Sequence, residues 1–261
     1  MNLFSAFRCQ FPKVCKPNAC CYNVPPMLPP IQAVLFDFDG VIVNSEPLHF
    51  QAFVRTLAEH DILLTELEYY AELLGFDDKG AFKYIFEKYR KPLDSRTFLQ
   101  VMTRKSKLMM QMIESKQFAA LPGVEEFVRG LWRNYPLAIC SGALREEIEA
   151  MLIGINLRDC FSVITAAEDV TVGKPDPMGY LLTTRLLAEK SKKKLEPANC
   201  LIVEDAPSVT KSVRSVGFPV LAVTTSYPAE KLGDANWVVD TLEPEAVQLK
   251  LPQLKMGLGS R

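Results

Sequence analysis

The apolar tetrapeptide Ala33-Val34-Leu35-Phe36 runs directly into Asp37-Phe38-Asp39-Gly40, and this junction constrains the fold more than any other stretch of the chain. A short run without a polar residue is the pattern of a strand buried on both faces, which parallel sheets achieve by placing helices above and below. Similar runs occur at 137–140, 162–165, 200–203 and 220–223, and helix-period segments separate most of them. Strands alternating with helices predict a doubly wound α/β core around a largely parallel sheet. In such sheets ligands bind beyond the carboxyl ends of the strands, which is where the two aspartates fall.

Between Ser45 and about Ala120 the strand signal disappears. Phe50, Phe53, Val54 and Leu57, then Leu67, Tyr70, Ala71 and Leu74, then Phe82, Ile85, Phe86 and Tyr89 recur at helical spacing. Phe98, Val101, Met102, Leu108, Met109, Met112 and Ile113 form a fourth stripe. These stripes read as packing and predict a four-helix cap over 45–120 with a small core of its own, inserted into a core made of 31–44 and 121–245. Residues 1–30, with Pro12, Pro17, Pro25, Pro26, Pro29 and Pro30 and no acidic residue, are expected to be a disordered tail. Met27 allows a second reading, in which the chain starts there and reaches the first strand almost at once. Residues 246–261 are expected to be a C-terminal tail.

The composition narrows the partners. With 48% hydrophobic residues the 261-residue chain can bury a full core, and 30 basic against 31 acidic residues lack the excess typical of nucleic-acid or membrane-surface binders. No apolar run approaches the roughly 20 residues a membrane helix needs. Cys140, Cys160 and Cys200 stand singly in apolar surroundings and read as core thiols. Cys9, Cys15, Cys20 and Cys21 lack the paired spacing and histidines of a closed zinc site. A small-molecule partner and a reducing cytoplasm are therefore expected. The oligomeric state is left open, a monomer being compatible with everything above. The basic run Lys190, Lys192, Lys193 and Lys194 reads as a solvated helix end.

Four predicted strand ends are polar: Asp37-Phe38-Asp39-Gly40, Ser141-Gly142, Gly173-Lys174-Pro175 and Glu204-Asp205. Asp37 and Asp39 are two apart, so an extended chain projects both carboxylates to one side. One can attack phosphorus while the other donates a proton to the leaving oxygen and later takes one from water. Clustered anions call for a cation. Glu204 and Asp205 suit a hard ion such as Mg2+, and the Lys174 ammonium and Ser141 hydroxyl can stabilise phosphoryl oxygens.

The run Val34 to Glu46, Val-Leu-Phe-Asp-Phe-Asp-Gly-Val-Ile-Val-Asn-Ser-Glu, resembles the first motif of the haloacid dehalogenase superfamily. Ser141, Lys174 in Gly-Lys-Pro-Asp-Pro, and Glu204-Asp205 resemble the second, third and fourth motifs. The resemblance covers about 32–240 and is closest to the branch of beta-phosphoglucomutase, phosphoglycolate phosphatase and sugar-phosphate phosphatases. It implies a Rossmann-like core with a helical cap after the first motif. Asp37 would be the phosphorylated nucleophile and Asp39 the acid/base, also binding Mg2+ through its carbonyl. Asp205 would complete the metal site with Glu204. The expected activity is a Mg2+-dependent phosphatase acting on a small phosphorylated metabolite, the alternative being a phosphomutase; a dehalogenase or a noncatalytic binding module fits less well, since Asp39 and Lys174 are both kept. Asn44 and Ala206-Pro207-Ser208-Val209 depart from the family pattern.

The cap loop around Gly75, with Lys79, resembles a substrate-selecting loop. In phosphoglucomutase-like members an arginine of that loop binds the second phosphate, and Asp78 stands at that position here. Leu144-Arg145 stands where Lys-Asn is usual, which also weakens the mutase reading. Substrate contacts are expected from His49, Gly75, Lys79, Gly142 and Arg145, with surface charge as the alternative for Lys79 and Arg145. His60 reads as ordinary surface.

Overall fold

The computed structural model describes residues 29–73 and 76–257, so residues 1–28 of the expected 1–30 tail, its cysteines and Gly75 lie outside the described residues. The strands β1 (Ala33–Phe36), β2 (Leu137–Cys140), β3 (Phe161–Thr165), β4 (Cys200–Glu204), β5 (Val220–Val223) and β6 (Trp237–Val239) form one parallel sheet in the order β3-β2-β1-β4-β5-β6. The apolar runs explain it: side chains alternate between two faces, and both are covered. Val34, Phe36, Ile139, Leu201 and Val203 join one core cluster with α5 (Val124–Trp132), α6 (Arg145–Gly154) and α9 (Pro244–Lys250). Ala33, Leu35, Ala138, Cys200 and Ile202 join the other with α7 (Met178–Ser191) and α8 (Pro207–Ser215). Cys140, Cys160 and Cys200 are buried and free.

Within the core, two features depart from the sequence reading. β6 was not foreseen, because Trp237–Val239 is short and only Val239 is buried at this sheet edge. The C-terminal tail expected from 246 does not hold for its described part: Pro244 starts α9, and Val247, Leu251 and Leu254 are buried in the core. The Lys255 amide donates to the Tyr135 hydroxyl at 3.0 Å and ties the segment after α9 down.

Between β1 and β2 the insert comprises α1 (Glu46–Ala58), α2 (Glu66–Glu68) with a π-helical turn over Tyr69–Leu73, α3 (Asp78–Lys88) and α4 (Ser95–Glu114). Asp77 and Asp94 cap α3 and α4, each accepting a backbone N–H three residues on at 2.7 Å. The second stripe is shifted from its expected residues: Tyr69 and Leu73 are buried, whereas Leu67 and Tyr70 are exposed. The wider π turn rotates the inward face onto these two residues. The insert has a cluster of its own around Phe53, Phe82, Phe86 and Val101, yet Leu108, Met109, Met112 and Ile113 of α4 belong to the sheet's core. Among the described residues no helix is long and apolar enough to cross a membrane.

Candidate active site

β1 and β4 lie side by side with Phe36 opposite Val203, so their next residues, Asp37 and Glu204, emerge together at the carboxyl edge. The Asp37 amide still donates to the Val203 carbonyl at 2.9 Å, which carries the ladder one step into the site. On the other side β2 pairs Ile139 with Phe36, leaving Ser141 just beyond the register of Asp37. Lys174 arrives from the loop before α7. Its Nζ lies 2.7 Å from Asp37 Oδ1 and 2.7 Å from Glu204 Oε1.

Asp37, Glu204 and Asp205 each bring a carboxylate oxygen within 4.8 Å of the others. Burial raises the Asp37 pKa well above the ordinary carboxylate range; Lys174 opposes this, while Glu204 and Asp205 add to it. Burial, reinforced by the Glu204 carboxylate, pushes Asp205 up to about 7. Lys174 is pulled down by burial, but Asp37 and Glu204 outweigh that and hold it above its usual value. When all three carboxylates are ionised, the one ammonium leaves two negative charges, and the donors are all hard oxygens, so the cluster fits a divalent ion such as Mg2+.

Glu204, expected among the ion's ligands, stands in this cluster, and its hydrogen bonds give it a second task. Its Oε1 accepts from Lys174 and, at 3.1 Å, from the Tyr180 hydroxyl, while Oε2 accepts the Asp205 and Ala206 amides at 2.9 Å each. It fixes Lys174 and the turn that aims Asp205. Val209, in the segment that departs from the family pattern, is buried in the second core cluster.

Gly40 is required twice over. Its φ of +75° is left-handed, and a Cβ there would stand 2.0 Å from Asp205 Oδ2. The turn it makes is closed by Gly40 N–H to the Val43 carbonyl at 2.8 Å, and it brings Asp39 back toward α1. Ser45, at the N-cap position of α1, does not cap the helix; its hydroxyl donates to Asp39 instead. Burial raises the Asp39 pKa, which the Ser45 bond, Lys174 and Lys105 each lower in part.

The other expected residues fall differently. Ser141 is buried, and its Oγ accepts the Ala143 amide at 3.0 Å, leaving its own proton available. Gly142 is exposed with open space where a side chain would be. Arg145 is engaged elsewhere: its guanidinium donates to Asp169 and, at 2.9 Å, to the Ile164 carbonyl. Lys79 is exposed in the first turn of α3. His60 is half-buried edge-on against Phe86, not plain surface. His49 Nδ1 lies 2.7 Å from Lys105 Nζ, and burial, with Lys105 next, holds its pKa well below normal.

Sequence reasoning missed Lys105, Glu147, Tyr180 and Ser226. Lys105 is 1% exposed and paired with Asp78 at 2.7 Å. Its signal was present: a lysine four residues after Val101 and four before Met109 sits on the apolar face of α4. Ser226 donates to Asp205 from the loop after β5, and no pattern in that loop marks it.

The model of haloacid dehalogenase-like hydrolases matches residues 34–223, from β1 to β5 and through every acid of the cluster. The chain belongs to this family. Protein CbbY of Rhodobacter capsulatus is 29% identical over 237 residues, 86% of this chain and 99% of that protein. Validoxylamine A 7'-phosphate phosphatase of Streptomyces hygroscopicus subsp. limoneus is 24% identical, covering 85% and 98%. The crystal structure of beta-phosphoglucomutase from Clostridium difficile shares the fold with a TM-score of 0.71 at 22% identity, covering 85% of this chain and 98% of that one.

Proposed function

We propose that this haloacid dehalogenase-like hydrolase is a Mg2+-dependent phosphatase that hydrolyses a small phosphorylated metabolite through a phosphorylated Asp37. The observation that carries the reading is the Lys174 ammonium, 2.7 Å from both Asp37 and Glu204 at the ends of adjacent strands. Such a contact opposes the burial that would protonate the carboxylate and favours its ionised, nucleophilic form. Asp37, Asp205 and the Asp39 carbonyl would hold Mg2+, with Glu204 supporting Asp205. The ion supplies charge neutralisation between the anionic nucleophile and the phosphoryl group.

Asp37 attacks phosphorus, and the bond from phosphorus to the ester oxygen breaks as Asp39 delivers its proton to that oxygen. Water then attacks the phosphorus of phospho-Asp37; Asp39 takes the water's proton and the acyl phosphate bond breaks, restoring the Asp37 carboxylate and the protonated Asp39. The raised pKa of Asp39 suits the first role. Ser141 Oγ–H and Lys174 donate to the phosphoryl oxygens. Hydrolysis is favoured over the mutase alternative because Arg145 is bound by Asp169, and the buried cation of the insert, Lys105, by Asp78.

Assaying a panel of phosphorylated metabolites with Mg2+ tests this. Phosphate release that EDTA removes and Mg2+ restores, and that Asp37→Asn abolishes together with phospho-enzyme formation, is the expected result. Isomer conversion without phosphate release would favour the mutase, and substantial turnover by Asp37→Asn would refute the role of Asp37.

A further inference from the structure

Resting on the phosphatase reading above, we propose that the insert selects monophosphates whose far end is neutral or cationic and rejects those bearing a second anion, with Asp78 setting the preference. A continuous line of contacts leads from the reacting end into the insert. Ser45 donates to Asp39; the His49 amide donates to the Ser45 carbonyl at 3.1 Å, placing His49 one turn further along α1; and His49 Nδ1 lies 2.7 Å from Lys105 Nζ. Lys105 ends the line on Asp78, at 2.7 Å from Oδ1 and 2.8 Å from Oδ2.

A substrate with its ester oxygen at Asp39 extends its organic part along this line. A lysine only 1% exposed would, if unpaired, be a strong attractor for a second phosphate, because a desolvated ammonium pulls on an anion far more than a solvated one. Asp78 removes that attraction by pairing with it from both carboxylate oxygens. The surroundings add further acid: Glu46 opens α1 and is held by the Tyr69 hydroxyl, and Glu147 is buried on α6, which packs against α4. Glu46 feels Asp39, Lys105 and Asp78, and Glu147 feels Lys105, Asp78 and Asp39, so these groups share one electrostatic neighbourhood. Arg145, a cation that could have offset them, is engaged by Asp169. A second phosphate entering here meets carboxylates and loses its hydration without a partner, whereas hydroxyl or amine groups find acceptors.

The test uses three ligands on one ring as competitors of p-nitrophenyl phosphate hydrolysis with Mg2+: glucosamine 6-phosphate, glucose 6-phosphate and glucose 1,6-bisphosphate. Inhibition constants report binding whether or not a competitor is itself turned over. Wild-type protein should bind the bisphosphate roughly tenfold more weakly than glucose 6-phosphate, and the amino sugar at least as tightly. Asp78→Asn should shift the bisphosphate-to-monophosphate ratio roughly tenfold toward the bisphosphate, while Asp78→Glu keeps the wild-type order. A wild-type preference for the bisphosphate, equal or absent competition by all three, or an unchanged ratio in folded Asp78→Asn overturns the inference. The wild-type order decides on its own should Asp78→Asn fail to fold. Failure to hydrolyse p-nitrophenyl phosphate at all would instead sink the phosphatase reading, and this inference with it.

Discussion

Replacing Glu147 by Gln should make the protein more stable at alkaline pH, although it deletes a charge beside a lysine. Glu147 is 4% exposed on α6, and burial pushes its pKa from 4.5 up to about 7, with Lys105 opposing and Asp78 and Asp39 reinforcing the shift. In the unfolded chain the group ionises near its ordinary value, so between that pH and about 7 the folded state binds the extra proton. The stability this confers is complete below the unfolded pKa and is lost as pH rises through the folded one. At about 1.4 kcal/mol per unit, the loss amounts to about 3 kcal/mol by pH 8. Glutamine matches the shape of the protonated acid and cannot ionise, so the variant avoids this loss.

Urea unfolding of both proteins across this range measures the effect, and the difference between the two curves isolates Glu147 from Asp37, Asp39 and Asp205, which both proteins share. Near pH 4.5 the two should unfold at similar urea concentrations. At pH 8 the variant should lead by about 3 kcal/mol, or roughly 6–12 °C in Tm for a chain of this size. Parallel curves over the whole range would refute the assignment of a buried, proton-holding Glu147.

Asp39→Asn should nearly stop hydrolysis of alkyl phosphates, yet with p-nitrophenyl phosphate should give a burst of nitrophenol followed by a slow steady rate, because only the second step still needs a base. Equal slowing of both substrates without a burst would count against proton transfer by Asp39. Gly40→Ala should cost about 1–2 kcal/mol of stability from left-handed strain and raise the Mg2+ concentration needed for half-maximal activity, since its Cβ collides with Asp205. Gly217→Ala, with φ +96° and open space around the added methyl, should show the strain alone; unchanged Mg2+ dependence in both variants would refute the steric account.

The sheet was legible because its physics is local: an uninterrupted apolar run has few alternatives to a doubly covered strand, and β1, β2 and β5 match their runs residue for residue. The acids were legible for the same reason, being placed by the strands they end. What escaped depends on contacts between distant segments. α9 hides behind Pro244 and Pro252, and only the burial of Val247 and Leu251 against α5 and the sheet makes it an ordered element. Tyr69 and Leu73 displaced the expected stripe because a π turn, invisible to a 3.6-residue period, reset the face. Lys105 was passed over because charges are presumed to face water, and its partners His49 and Asp78 come from other helices.

α4 gives the insert a mechanical character. Its twenty residues form a rod of about 30 Å whose first half is held by aromatic rings of the insert and whose second half is embedded against the sheet. Exchanging this insert for another would therefore pull Leu108, Met109, Met112 and Ile113 out of the layer beneath β1 and leave a void there. In amide hydrogen exchange, the part of α4 from Leu108 onward should open with the strands and the part before Lys105 with the helices around it. One continuous helix thus belongs to two cooperative units, and grafts of new specificity onto this scaffold need their splice point within α4, between Lys105 and Leu108, not at its ends.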